Sequence, residues 1–295
     1  MALATNMISG VKRRWHILEP YALLSPVFVL IGVFFLLPVA TVVLYSFYTR
    51  VSGGSMEAVL TLENYARALT RPLYIKIIFR TIRLAAITTA IAVVLSYPFS
   101  YYLARIKTDK KGLLLMAVIF PFWTAIIVRT YAWMIILGTK GILNGVLVSL
   151  GLDPRQLMWN EAGVIVGLVQ ILLPYMILPL YASIERIDID LEEAAQTLGA
   201  SKWRTFWRIT LPLSLPGAAT GALLVFIITI GSFLTPALLG GPSQIVIPML
   251  ISEQVGVLNQ PFAAALSMLL LIIVLVLTGI FDRLVGLERL GGIYG

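Results

Sequence analysis

The sequence predicts an all-α protein that crosses a membrane six times. Only 12% of its 295 residues are charged, and the mean hydropathy of the whole sequence is +0.95. Apolar runs longer than 18 residues recur along the chain, which is the length that a helix needs to cross a hydrocarbon core of about 30 Å. We expect each run to be helical, because an isolated strand would leave its backbone polar groups unsatisfied in lipid.

Six segments meet this criterion, and no soluble domain is inserted between them. We therefore expect residues 1–295 to form a single transmembrane domain. The first segment follows Lys12, Arg13 and Arg14, as in a signal peptide, but its length predicts a retained span. The predicted spans are about 21–46, 81–104, 113–137, 163–184, 216–239 and 264–284.

The positions of Lys and Arg predict the orientation, since these residues accumulate in short cytoplasmic loops. The short loop 105–111 is the clearest case, with Arg105, Lys107, Lys110 and Lys111. Placing this loop in the cytoplasm also places both termini and the segment 185–215 there. The net charge of +8 then reflects membrane topology and needs no nucleic-acid partner.

Several kinds of chemistry are absent from the sequence. There is no cysteine, and a single histidine, His16, cannot complete a metal site. No Gly-Lys dipeptide occurs, so a Walker A loop is missing. No acidic residue lies in the central part of a predicted span, which argues against a proton-coupled carrier. Energy for moving a solute would have to come from a partner protein.

The third predicted span contains Trp123, Arg129, Tyr131 and Trp133. An arginine within a span is costly and is a candidate functional residue. At ~1.5 Å per residue, Arg129 lies about 12 Å from the outer end of the span. Either it reaches the interface by snorkelling, with Tyr131 and Trp133 as interfacial aromatics, or it serves as a gate or pairing group on a translocation path.

The fourth predicted span contains Gln170, Pro174, Tyr175 and Pro179. The two prolines predict breaks in the backbone hydrogen-bond ladder, which are tolerated beside other helices or a cavity. Gln170 and Tyr175 either line a polar path or join neighbouring helices through hydrogen bonds.

In the fifth predicted span, Gly217 and Gly221 form a GxxxG pattern that predicts close packing with another helix. Further along, Thr229, Ser232 and Thr235 recur every three residues on nearly one helix face. These hydroxyl groups either line a pore or bond back to their own helix.

Two short helices are expected outside the membrane. One follows Thr61 in the loop 48–80 and either covers helix ends or forms a docking surface. The other lies near 245–256 and contains Glu253, the only acidic residue of that outer loop.

The longest polar stretch of the chain is 185–217. Asp190 and Glu193 predict a capped helix start, Gly199 a helix end, and Ser201 the start of a second, interfacial helix. The apolar face of the first helix consists of Leu191, Ala194, Ala195 and Leu198.

Within this stretch, Glu193-Ala194-Ala195, Gly199, Ile209 and Leu211-Pro212 have the spacing EAA-x3-G-x9-I-x-LP. This pattern resembles the loop signature of permease subunits of binding-protein-dependent ABC importers. The resemblance implies the type I importer permease fold, in which the short helix docks in a cleft of the ATPase subunit. The implied coupling residues are Glu192, Glu193, Ala194, Ala195, Leu198, Gly199 and Ala200.

Other motifs, including Leu62-Glu63-Asn64-Tyr65 and Pro121-Phe122-Trp123, resemble the spermidine/putrescine branch of these permeases. This implies import of a small organic solute, in the first place a polyamine, with an opine or aminophosphonate as alternatives. Aromatic faces could hold ammonium groups. The residues expected to line the path or gate are Trp123, Arg129, Tyr131, Trp133, Gln170, Tyr175, Thr229, Ser232, Thr235 and Glu253.

The resemblance also implies partners: a second permease, two ATP-binding subunits and an extracytoplasmic solute-binding protein, assembled at a bacterial inner membrane. The chain itself would catalyse no reaction and hold no cofactor, since ATP and Mg²⁺ belong to the ATP-binding subunits. The rival interpretations are an ATP-independent channel or carrier and a membrane scaffold without a solute path.

Overall fold

The computed structural model describes residues 24–51, 55–108 and 110–285. The expectations for Lys12, Arg13, Arg14 and His16 lie outside these residues. Helices make up most of the described chain. A short antiparallel ribbon pairs β1 (Thr49–Arg50) with β2 (Met56–Glu57).

Six described helical segments are long and apolar enough to cross a membrane, which confirms the predicted number of spans. The third of them is Ile126–Ser149, which contains two helices, and not the predicted 113–137. Helix α1 includes a π-helical turn at Gly32–Leu36, and α9 includes one at Phe206–Thr210. In chain order the helices are α1 (Leu24–Ser46), α2 (Glu63–Thr70), α3 (Pro72–Arg105), α4 (Lys111–Ile119), α5 (Ile126–Leu137), α6 (Ile142–Ser149), α7 (Glu161–Glu185), α8 (Ile189–Thr197), α9 (Lys202–Ile230), α10 (Ile247–Gly256) and α11 (Gln260–Val285).

Helix α7 is the centre of the molecule and packs against both α3 and α9. The GxxxG pattern of α9 allows this packing, as the sequence predicts. A side chain at Gly217 would collide with Ser183, and a Cβ at Gly221 would lie 2.8 Å from the sulfur of Met176. Small residues therefore bring the backbones of α7 and α9 into close contact.

The third predicted span, 113–137, is not one helix. Helix α4 ends at Ile119, a 3₁₀ turn covers Phe120–Trp123, and Thr124 and Ala125 are extended, with ψ of 132° and 138°. Pro121 explains the interruption, because it has no N–H to donate and its ring crowds the preceding helical turn. Hydropathy does not detect the break, since both halves are apolar.

The fifth predicted span, 216–239, also has different boundaries. Its helix begins at Lys202, so the second, interfacial helix and the span are continuous, with Pro212 and Pro216 inside rather than at a boundary. It ends at Ile230, and the chain then leaves regular helix until a π-helical turn at Pro236–Gly240. Hydropathy does not locate these limits, because the helix begins in a polar stretch and ends within an apolar one.

One further helix differs from expectation. Helix α3 begins nearly ten residues before the predicted position 81, and its 34 residues measure about 51 Å, well beyond the hydrocarbon core. The first part of this helix is polar, so a hydropathy criterion does not detect it. Helix α7 continues through Pro174 and Pro179, so the ladder bonds that these prolines cannot donate are lost without ending the helix.

The two short helices predicted outside the membrane are present as α2 and α10. Thr61 accepts a hydrogen bond from the backbone of Glu63 at the start of α2. Helix α2 packs on the beginning of α11, where the guanidinium of Arg67 lies 4.5 Å from the ring centre of Phe262. This contact agrees with the interpretation that α2 covers the end of another helix.

Candidate functional site

The polar segment forms a short helix, α8, between the two central spans α7 and α9. Its N-cap is Asp188, whose carboxylate accepts a hydrogen bond from the backbone of Asp190 at 3.0 Å. The predicted cap at Asp190 is therefore two residues too late. Asp188 and Asp190 are both acidic, and the sequence pattern did not distinguish them.

Helix α8 ends where the sequence predicts, at Gly199, which has a φ of +87°. The amide of Gly199 bonds to the carbonyl of Gln196, and the amide of Ala200 bonds to that of Ala195, both at 3.0 Å. These two bonds form a Schellman motif, which satisfies carbonyls at the helix end. A left-handed residue is required there, and glycine adopts this conformation without a Cβ clash.

The apolar face of α8 is exposed. Leu198 is 89% accessible and Leu191 49%, and Glu193 and Ala194 are also exposed. Ala195 and Ala200 are partly covered. A helix that presents leucines to solvent at its end is unusual in a protein that acts alone, so this surface is a candidate interface.

Glu192 faces the opposite way and is only 5% accessible. Its carboxylate accepts hydrogen bonds from Arg105 Nη2 at 2.7 Å, Thr210 Oγ1 at 2.8 Å and the Tyr101 hydroxyl at 3.1 Å. Arg105 also donates to the carbonyl of Ile187 at 3.1 Å. One carboxylate thus connects α8 with the end of α3 and the beginning of α9.

Two further contacts hold this end of the molecule together. Phe206 packs edge-on against Tyr97 and Tyr101 of α3. Lys111, at the start of α4, donates to Glu185, at the end of α7, at 2.5 Å. The hydrogen bond that Lys111 donates to Glu185 raises the pKa of Lys111 above its usual value, because it favours the charged ammonium.

The membrane part contains a cavity of about 360 Å³ between α5, α7 and the segment that follows α9. Four of the predicted path residues line it: Arg129, Tyr175, Ser232 and Thr235. The Nε and Nη1 atoms of Arg129 are buried and have no hydrogen-bond partner among the described residues.

The other predicted path residues are arranged differently. Trp133 donates to the side chain of Gln170 at 3.3 Å, so this pair joins α5 to α7. Thr229 bonds back to its own helix, as does Ser232. The remaining three residues are exposed and do not line the cavity: Trp123, Tyr131 and Glu253.

Sequence reasoning missed the partners of Glu192. Arg105 contributed only to the prediction of membrane orientation, and no sequence pattern indicated a role for Tyr101 or Thr210. These residues lie 18 to 91 positions from Glu192 in the chain, so no local pattern connects them.

Comparison with known proteins identifies the family. The profile described as "Binding-protein-dependent transport system inner membrane component" matches residues 19–287. The spermidine/putrescine transport system permease protein PotB of Escherichia coli strain K12 is 42% identical over 243 residues, covering 81% of this chain and 88% of that protein. PotB of Haemophilus influenzae is 38% identical over 253 residues, covering 85% of this chain and 88% of that protein.

Solved structures show the same fold. A chain of a bacterial alginate ABC transporter, crystallised with its alginate pentasaccharide-bound periplasmic protein, superposes with a TM-score of 0.77 at 18% identity, covering 93% of this chain and 95% of that one. A chain of the MetNI methionine ABC transporter gives 0.56 at 19% identity, covering 72% and 94%. The type I importer permease fold is thereby confirmed.

The full-length profile match and the relatives above 30% identity agree with the six membrane helices. This chain belongs to the family of binding-protein-dependent transport system inner membrane components, as the multi-pass permease subunit of an ABC importer and not an enzyme.

Proposed function

We propose that α8 is the element through which ATP-binding subunits drive this permease. The exposed leucines and alanines of α8 are the surface available for docking, and the Gly199 turn fixes its end. The Glu192 contacts carry this proposal, because they attach α8 to two membrane helices. A push on α8 would then tilt those helices and alternate access to the translocation path.

The chain would form the translocation path with a second permease and receive solute from an extracytoplasmic binding protein. ATP and Mg²⁺ would be bound by two ATP-binding subunits. The energy source belongs to these ATP-binding subunits in this proposal.

The end of the molecule that carries α8 is assigned to the cytoplasm, together with both chain termini. The Lys111–Glu185 and Arg105–Glu192 pairs lie at this end. The assignment follows from the positive charge of the loop 105–111.

The solute is proposed to be a polyamine, on the basis of relatives named as spermidine/putrescine permeases. Two exposed aromatic rings, Trp123 in the turn before α5 and Tyr131 in α5, are suited to contact ammonium groups. A second candidate is a solute that carries an anionic group, such as an opine or an aminophosphonate. The unpaired guanidinium of Arg129 beside the cavity favours this candidate.

Replacement of Leu198 by Asp tests the docking role directly. The side chain is almost fully exposed, so the fold should be unaffected, while an apolar contact with a partner would be lost. We expect Leu198→Asp to reach the membrane but to lose co-purification with the ATP-binding subunits and solute uptake. The matched control is Leu150→Asp, since Leu150 is also exposed and lies near the other end of the molecule.

Unchanged co-purification and uptake in Leu198→Asp would refute the docking proposal. Uptake that persists when the ATP-binding subunits are absent would favour an ATP-independent carrier. A permease that supports no uptake of any solute, despite normal assembly with its partners, would favour a scaffold.

A further inference from the structure

Two interrupted helices meet at the membrane cavity. The first interruption, at Thr124 and Ala125, places the beginning of α5 beside the cavity, where Ile126 lines the wall. The second is the end of α9, after which residues from Gly231 to Thr235 line the same cavity. Non-helical backbone at membrane depth is tolerated where it is covered by protein or lines a cavity.

Positive charge in this cavity is not balanced by any described residue that lines it. Arg129 lies in the first turn of α5, and its Nε and Nη1 atoms are buried and have no hydrogen-bond partner within the described part of the chain. None of the residues that line the cavity is acidic. Although Arg129 as a whole is only partly buried, an anionic group that enters the cavity would accept hydrogen bonds from these two nitrogen atoms.

The beginning of α5 adds a second attraction for an anion. No side chain caps this helix, and the first backbone amides of a helix have no intrahelical acceptor. Helix amides and guanidinium groups both bind oxyanions, and arginine can donate two parallel hydrogen bonds. Tyr175, which packs edge-on against Phe122, lines the same cavity and carries another potential O–H donor.

We propose that this cavity is a subsite for an oxyanion, either a carboxylate or a phosphonate, carried by the transported solute. The inference rests on the proposed import function and selects the second proposed solute class, a solute with an anionic group, over a bare polyamine. The cavity of about 360 Å³ is within the size range of small-molecule sites. A bare polyamine has no group to pair with Arg129 and would be repelled by it.

The test uses the assembled importer, with its partner subunits, in lipid nanodiscs and without nucleotide. The probes are putrescine and ornithine, which differ by one carboxylate, and 2-aminoethylphosphonate as the phosphonate counterpart. Binding is measured by calorimetry. We expect ornithine or 2-aminoethylphosphonate to bind about tenfold or more tightly than putrescine, since a hydrogen bond to a charged group is worth that factor. Whichever of the two anionic probes binds more tightly shows whether the subsite prefers a carboxylate or a phosphonate.

Arg129→Gln should remove this preference, and Arg129→Lys should retain part of it, while both variants assemble normally by size-exclusion chromatography. The control is Lys76→Gln, which removes a positive charge from an exposed position outside the cavity. Its anion preference should equal that of the wild type.

Equal affinity for putrescine and both anions in the wild type, or an unchanged preference in Arg129→Gln, would overturn the subsite. Loss of assembly in both Arg129 variants would also overturn it, by assigning Arg129 to a contact with the second permease. Failure of the import proposal has a different signature, namely uptake that is independent of the ATP-binding subunits.

Discussion

Arg105 and Glu192 are 87 positions apart in the chain, yet Nη2 of Arg105 donates to Oε1 of Glu192 at 2.7 Å. Both side chains are largely buried, at 14% and 7% accessibility. Thr210 donates to the same carboxylate oxygen. Helix α8 is therefore attached to α3 and α9 through one acidic side chain, and its neighbour Glu193 remains exposed for contact with a partner.

The first prediction concerns this attachment. Glu192→Gln should leave the guanidinium of Arg105 without its charge partner, and breaking a buried ion pair costs about 3 kcal/mol. We expect a lower unfolding temperature and uptake reduced by about tenfold, with residual ATP hydrolysis that no longer depends on solute. Glu193→Gln is the matched control, and its unfolding temperature should equal that of the wild type.

A double variant separates the attachment from simple loss of charge. When both partners of a buried pair are replaced by apolar side chains, stability is often retained. Arg105→Met combined with Glu192→Met should therefore unfold at a higher temperature than Glu192→Gln. If the double variant is the less stable of the two, the pair is not the dominant interaction at this site.

The second prediction concerns the turn at Gly199. Because its φ is +87°, a side chain there is strained even though no atom lies within 4 Å of the Cβ position. Gly199→Ala should destabilise the turn by about 1–2 kcal/mol, whereas asparagine tolerates this conformation better. Uptake assays should rank Gly199→Asn above Gly199→Ala. If Gly199→Ala instead supports more uptake than Gly199→Asn, side-chain bulk at a docked interface is the dominant factor.

The third prediction concerns the packing of α9 on α7. Gly217→Val should force the two helices apart, because a side chain there meets Ser183 and the carbonyl of Pro179. Overpacking of this kind costs about 1–3 kcal/mol. The thermal stability of the purified permease should fall. Gly279→Ala, in α11 with open space around its Cβ position, should leave it unchanged or slightly raised.

The fourth prediction concerns orientation. The chain has no native cysteine, so single cysteines report their location without background. In spheroplasts, a membrane-impermeant maleimide should label Leu150→Cys directly and Gln196→Cys only after permeabilisation. The reverse pattern would place α8 outside and would contradict coupling to a cytoplasmic ATPase.

Hydropathy and turn chemistry predict the number of spans, the end of α8 at Gly199 and the close packing at Gly217. Each of these follows from a local property, such as apolar length, a left-handed turn or a missing Cβ. The EAA-type spacing also led to the correct family.

The features that sequence reasoning missed depend on contacts that are distant in the chain. The cavity arises where the break at Thr124 and Ala125 meets the exit of α9 at Gly231, and both lie in uniformly apolar stretches. Glu192 was grouped with the exposed coupling residues, since only the folded chain brings Arg105 beneath it.

The central claim is that α8 touches an ATP-binding subunit, and photo-cross-linking tests it most directly. Replacing Leu198 by a benzophenone-bearing amino acid places the probe at the most exposed apolar position of α8. Illumination of intact membranes should give an adduct whose peptides, identified by mass spectrometry, come from an ATP-binding subunit, and the same probe at Leu150 should not. An adduct with lipid alone, or equal capture from both positions, would contradict the account.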